Sequence, residues 1–143
     1  MSIKNYRSRM DPSKVAAKIE KALVESGAKA VQRLYGDDQQ IEGLEFVLEV
    51  NGRRIPFRIP AKVSAMKKAL NEDPDHSRNF STDQARRTLW KNLHDWVLAQ
   101  LALVKMEQVQ AAEAFLPFVY DYETDQTLSQ RFLDQPEQLL LDE

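Results

Sequence analysis

Asn51 and Gly52 stand between two alternating runs, "LEFVLEV" (residues 44–50) and "RRIPFRIP" (residues 53–60). No other feature constrains the fold of this chain so tightly. Both central residues of a two-residue hairpin turn need positive φ, which Asn and Gly adopt at little cost. The turn then fixes the pairing. Val50 falls opposite Arg53, Leu48 opposite Ile55, Phe46 opposite Phe57 and Leu44 opposite Ile59. The other face pairs Glu49 with Arg54 and Glu45 with Arg58. A slip of one residue would turn every apolar side chain to the wrong face, so the register is strongly specified.

The prolines add topology. Pro56 and Pro60 share a phase in which the backbone nitrogen points away from the preceding strand. Proline has no N–H to give a further neighbour, so the strand 53–60 is expected at a sheet edge. "KAVQRLYG" (residues 29–36) reads as a first strand on the other side of 44–50, with "DDQQIEG" (residues 37–43) as a loop. The result is a three-stranded antiparallel meander.

Helical periodicity surrounds it. Asp11 is a candidate N-cap with Pro12 in the first turn, and Val15, Ile19, Ala22 and Leu23 share one face before Gly27 stops the helix. This helix is expected to cover the apolar face of the meander. Residues 61–73 predict a short helix with Val63, Met66 and Leu70 inward. After a polar connector (residues 73–80), Ser81 and Gln84 predict a capping box. A long amphipathic helix follows from Thr82 to Met106, with Leu89, Trp90, Leu93, Trp96, Val97, Leu101, Leu103 and Val104 on one broad face and Leu98 outside it. So wide a face predicts two neighbours, the sheet and either a C-terminal segment or a second subunit. Gln100 lies within that face, where burial would require a hydrogen-bond partner. The helical C-terminal section continues into Pro117, turns at residues 121–125 and resumes near Leu128.

The expected fold is therefore α+β: an N-terminal helix, a three-stranded antiparallel meander, a long amphipathic helix and a helical C-terminal section. A flexible basic arm (residues 1–10) precedes one domain (residues 11–135), and an acidic tail (residues 136–143) follows. The 143 residues include no cysteine, which excludes disulfides and thiolate metal sites. No apolar run approaches the ~20 residues of a membrane span. The first residues have no signal-peptide apolar region, so a cytoplasmic location is expected.

Charge is distributed unevenly. Residues 1–91 carry 18 Lys and Arg against 12 Asp and Glu, whereas residues 92–143 carry 2 against 10. Such polarity points to partners: a polyanion for the basic part, a basic protein surface for the acidic part. Nucleic-acid binding needs Lys and Arg within reach of phosphates. The candidates are Lys4, Arg7, Arg9, Arg53, Lys62, Lys67, Lys68, Arg78, Arg86 and Arg87, with Tyr6 and Phe80 as rings on which bases could stack. The competing reading is a solvated basic surface balanced by acids. The order helix, three strands, helix also resembles the double-stranded-RNA-binding domain in topology. Leu139, Leu140 and Leu141, bounded by acids, form a candidate partner-binding segment. Otherwise they close the domain's own core.

Catalytic signals are thin. A helix followed by three strands resembles the core of restriction-type endonucleases, which need metal-binding acids and a lysine on the hairpin. Here Glu45 and Glu49 face arginines, and Val50 and Asn51 follow without a lysine. His94 sits at the border of the long helix's apolar face and reads as a packing residue. His76 stands in the polar connector with no partner to name. There is no glycine-rich phosphate loop. No enzymatic activity, metal or cofactor is expected.

The segments "WVLAQLALV", "FLPF" (residues 115–118) and "QTL" (residues 126–128), with "VNGRRIPFRIP" upstream, resemble a group of small phage and prophage proteins. The resemblance spans most of the chain. It implies a phage or mobile-element origin, hence a bacterial host's cytoplasm, and brings no catalytic residues. The function expected first is a non-enzymatic phage-type accessory protein that binds nucleic acid through its basic N-terminal two-thirds. The alternative is a protein-interaction module, an inhibitor of a host system or an assembly component, acting through the acidic C-terminal section. A third candidate is a small-ligand binder working as an oligomer, a homo-dimer or higher.

Overall fold

The computed structural model describes residues 2–75 and 79–140, excepting the side chains of 139 and 140. Helix α1 (Pro12–Glu25) leads into strands β1 (Ala30–Tyr35), β2 (Ile41–Val50) and β3 (Arg53–Pro60). The Asp11 carboxylate caps α1 by accepting from the Ser13 N–H. The sheet is an antiparallel meander in the order β1-β2-β3. Every expected pair of the β2–β3 hairpin is present, from Val50 with Arg53 to Leu44 with Ile59, and Asn51 and Gly52 both have positive φ.

β2 begins at Ile41, three residues before the expected start, and takes up part of the expected loop. The β1–β2 register shifts beyond Leu34, which pairs with Gly43, while Tyr35 pairs with Ile41 and Glu42 is the extra residue. Glycine within a strand commonly marks such a bulge or a close backbone approach. Here a Cβ on Gly43 would lie 2.7 Å from the Ile59 carbonyl oxygen.

Helices α2 (Val63–Glu72) and α3 (Thr82–Lys105) follow. The Ser81 hydroxyl accepts from the Gln84 N–H, as the capping box requires, but the Gln84 side chain does not bond back. It reaches across to another segment instead. The helix expected to run into Pro117 is broken. Glu107 has φ 61°, α4 covers only Ala111–Ala114, and a 3₁₀ turn takes Leu116–Phe118. Strands β4 (Tyr120–Asp121) and β5 (Gln126–Thr127) form a small hairpin, followed by α5 (Leu128–Asp134) and α6 (Glu137–Leu140).

The main core lies between the inner sheet face and the helices. Leu44, Phe46, Leu48, Phe57 and Ile59 meet Val15, Ile19 and Leu23 of α1, and Trp90, Val97 and Leu101 of α3. Phe115 closes it, edge-on to Phe46 at 5.3 Å and to Trp96 at 5.7 Å. The wide face of α3 is thus shared between α1, the sheet and the C-terminal segment. Leu98 is exposed, as expected. A second, smaller core joins Leu70, Phe80 and Ala85 to Ile3, Tyr6, Val63 and Met66.

β3 is the sheet's edge strand, and Phe57 makes one further bridge to Val119. That contact brings β4 against the outer sheet face. Glu45 lies between Gln32 and Arg58 in register, one row across three strands. As a residue it is only 5% exposed. It accepts from Arg58 Nε at 2.6 Å, from Gln32 Nε2 at 3.0 Å and from the Tyr122 hydroxyl. The Arg58 guanidinium lies 3.8 Å from the centroid of the Tyr120 ring. The expected Glu45–Arg58 pair is therefore present, but roofed rather than solvated. No helix among the described residues is long and apolar enough to cross a membrane.

Candidate nucleic-acid interface

Residues 2–10, the expected flexible arm, run antiparallel to α3 and are tied to it by side chains. Asn92 Nδ2 donates to the Lys4 carbonyl (2.9 Å) and Thr88 Oγ1 to the Asn5 carbonyl (3.0 Å). Gln84 Nε2 donates to the Tyr6 and Ser8 carbonyls (3.0 Å each). Residues 84, 88 and 92 recur every fourth position and so lie in one stripe of the helix. Asn5, at φ 64°, returns two bonds, to Asn92 Oδ1 (2.9 Å) and Asp95 Oδ2 (3.0 Å). Segments without regular structure must place their backbone polar groups somewhere. Here α3 supplies the partners.

Asp95 anchors the far end of this row. It also meets Lys4 Nζ (3.1 Å), Lys91 Nζ (3.0 Å) and His94 Nδ1 (3.0 Å). Burial opposes ionisation of its carboxyl, but hydrogen bonds from Asn5, His94, Lys91 and Lys4 outweigh it and hold the group well below the usual carboxylate range. His94, read as a packing residue, is half-buried against this carboxylate.

The tied segment delivers its arginines to the start of α3. Arg7, Arg9 and Arg87 line one open cleft of about 770 Å³, with Tyr6, Asn79, Phe80, Ser81 and Gln84. No acidic residue is among these lining residues. Arg87 is oriented by a 2.8 Å bond to Gln84 Oε1, and the Arg7 guanidinium lies 5.2 Å from the Tyr6 ring centroid. The 24-residue helix α3 begins at this wall, and its N-terminal end carries partial positive charge.

The remaining sequence-predicted residues divide. Lys67 donates to Thr82 Oγ1 at 3.1 Å and so flanks the first turn of α3, while Lys62 and Lys68 are exposed at α2. Arg86 is spoken for by Asp83 (3.0 Å) and Asp38 (3.6 Å), and Lys4 by Asp95. Arg53 is exposed at the hairpin turn. The Arg86–Asp38 contact places α3's start beside the β1–β2 turn, so Arg53 lies a full strand away, about 30 Å. Phe80 is 5% exposed, inside the smaller core, so its ring is not a surface for stacking; its rim contributes to the cleft floor. Arg78, His76 and Leu141 lie outside the described residues, as do the side chains of Leu139 and Leu140. Glu49 and Arg54 face each other in register and are both exposed.

Sequence reasoning gave Gln84 only a capping role and missed Thr88, Asn92 and Asp95. The available signal was a second, polar stripe at four-residue spacing on a helix read only for its apolar one. Together the fold and the cleft define a small α+β protein in which Arg7, Arg9 and Arg87 meet at the start of its longest helix. Compared with known protein families, curated proteins and solved structures, the chain matches none.

Proposed function

We propose that this chain is a non-enzymatic accessory protein, of phage type, that binds nucleic acid in the cleft at the start of α3. One observation carries the reading: Arg7 and Arg9 converge with Arg87 on a cleft that has no acid among the described residues that line it. Guanidinium groups match phosphate oxygens with paired donors and stay charged at any physiological pH. Three phosphate contacts would lower affinity about 20- to 40-fold between 50 and 200 mM salt. Fluorescence anisotropy with labelled single-stranded and duplex DNA and RNA across that range tests it. Binding that falls steeply with salt and is lost in Arg87→Glu supports the reading. Absence of binding at low salt to all of these overturns it.

A second reading, a protein-interaction module, draws on the C-terminal section. Leu116, Tyr122, Phe132 and Leu133 are 50%, 60%, 39% and 77% exposed there, on the acidic part of the chain. Large apolar side chains left in water beside acids suit a basic, partly apolar protein surface.

A further inference from the structure

We infer that the polar stripe Gln84, Thr88 and Asn92 of α3 is the positioning device of the arginine cleft, holding residues 4–9 so that Arg7 and Arg9 face Arg87. The inference rests on the reading of that cleft as the nucleic-acid site and deepens it. Residues 4–9 form no helix or strand, and their conformation includes a left-handed Asn5. Four donated bonds from three helix side chains reach the carbonyls of residues 4, 5, 6 and 8. Gln84 links both sides of the cleft, because its amide nitrogen holds Tyr6 and Ser8 while its oxygen holds Arg87.

Thr88 is the cleanest probe. It is fully buried, does not line the cleft, donates to the Asn5 carbonyl and accepts from Gln84 Nε2 at 3.2 Å. Removing its hydroxyl takes from the Asn5 carbonyl its tie to α3, leaving only the local Ser8 N–H, and removes one acceptor of the Gln84 amide. An untethered segment must be ordered again when ligand binds, which costs affinity without removing a phosphate contact. The two effects separate in salt titrations. Loss of positioning lowers affinity at constant salt slope, whereas loss of an arginine reduces the slope by roughly 0.7–0.9.

The experiment compares wild type, Thr88→Val, Thr88→Ser, Asn92→Ala and Arg9→Ala. Each is titrated with the labelled single-stranded and duplex DNA and RNA at several salt concentrations, and amide hydrogen exchange is followed at residues 4–9. Thr88→Val keeps the shape and removes the hydroxyl, and is expected to weaken binding about fivefold with an unchanged slope and faster exchange confined to residues 4–9. Thr88→Ser restores the hydroxyl and with it the affinity. Asn92→Ala, a half-buried site, is expected to shift affinity in the same direction and covers the case in which Thr88→Val fails to fold. The inference is overturned if exchange at residues 4–9 quickens while affinity stays at the wild-type value, or if Thr88→Ser binds no better than Thr88→Val. Wild-type protein that does not bind at all removes the reading of the cleft and this inference with it, an outcome visible before any variant is compared.

Discussion

The row Gln32–Glu45–Arg58 allows a stability prediction whose order is set by burial. Glu45 is 7% exposed at its side chain and Arg58 28%. Removing one member of a buried pair strands the other, at a cost of about 3–5 kcal/mol when the stranded charge is wholly buried. Arg58→Met strands the more buried charge. The Glu45 carboxylate keeps Gln32 and Tyr122 as donors but loses its cation, and about 3–4 kcal/mol is expected. Glu45→Ala strands Arg58, which water reaches in part and which the Tyr120 ring still supports. About 2–3 kcal/mol is expected there, after discounting for that exposure. Replacing both residues by Met removes the charge problem altogether, so the double variant should be more stable than Arg58→Met alone. Urea unfolding followed by circular dichroism and tryptophan fluorescence gives the three differences. In thermal melts they correspond to losses of roughly 4 °C per kcal/mol for a chain of this size. If Glu45→Ala costs as much as Arg58→Met, or if the double variant is the least stable of the three, burial does not set the order and the argument fails.

Further perturbations test other parts of the fold. Phe115→Ala should cost about 3–5 kcal/mol in urea unfolding, because the ring is fully buried against Phe46 and Trp96. Gly43→Ala should cost about 1–3 kcal/mol, because the new methyl meets the rigid Ile59 carbonyl; a neutral result would mean that the bulge relaxes freely. Asp95→Asn should cost about 1–2 kcal/mol at pH 7. Since the Asp95 carboxyl is depressed in the folded state, its contribution is complete above the ordinary carboxylate value of about 4 and fades as pH falls below it. The gap between wild type and Asp95→Asn should therefore narrow steadily as pH falls below about 4. A gap that persists unchanged into acid would refute the linkage.

What was legible in the sequence followed from short-range rules. Asn51 and Gly52 determine a turn, the turn determines a register, and the register pairs Glu45 with Arg58 before any tertiary contact is considered. The bulge at Glu42 was not legible, because Gly43 reads as a loop residue until the approach of Ile59 explains it. Nor was the burial of Glu45, whose roof comes from Tyr120 and Tyr122, about half the chain away. The candidate site shows the same division. Counting basic residues treats all of them alike, but folding sorts them by their partners. Asp38 and Asp83 occupy Arg86, Asp95 occupies Lys4, and the length of β2 separates Arg53 from the rest. What remains is a cleft whose arginines come from two segments nearly 80 residues apart in sequence. The link between them is polar, made of four hydrogen bonds from Gln84, Thr88 and Asn92 to backbone carbonyls. In sequence that stripe is visible by its spacing but reads as a solvated helix face, since amides and hydroxyls suit water as well as a neighbouring backbone. Only the second segment, lying where the water would be, turns an ordinary polar face into the wall of a site.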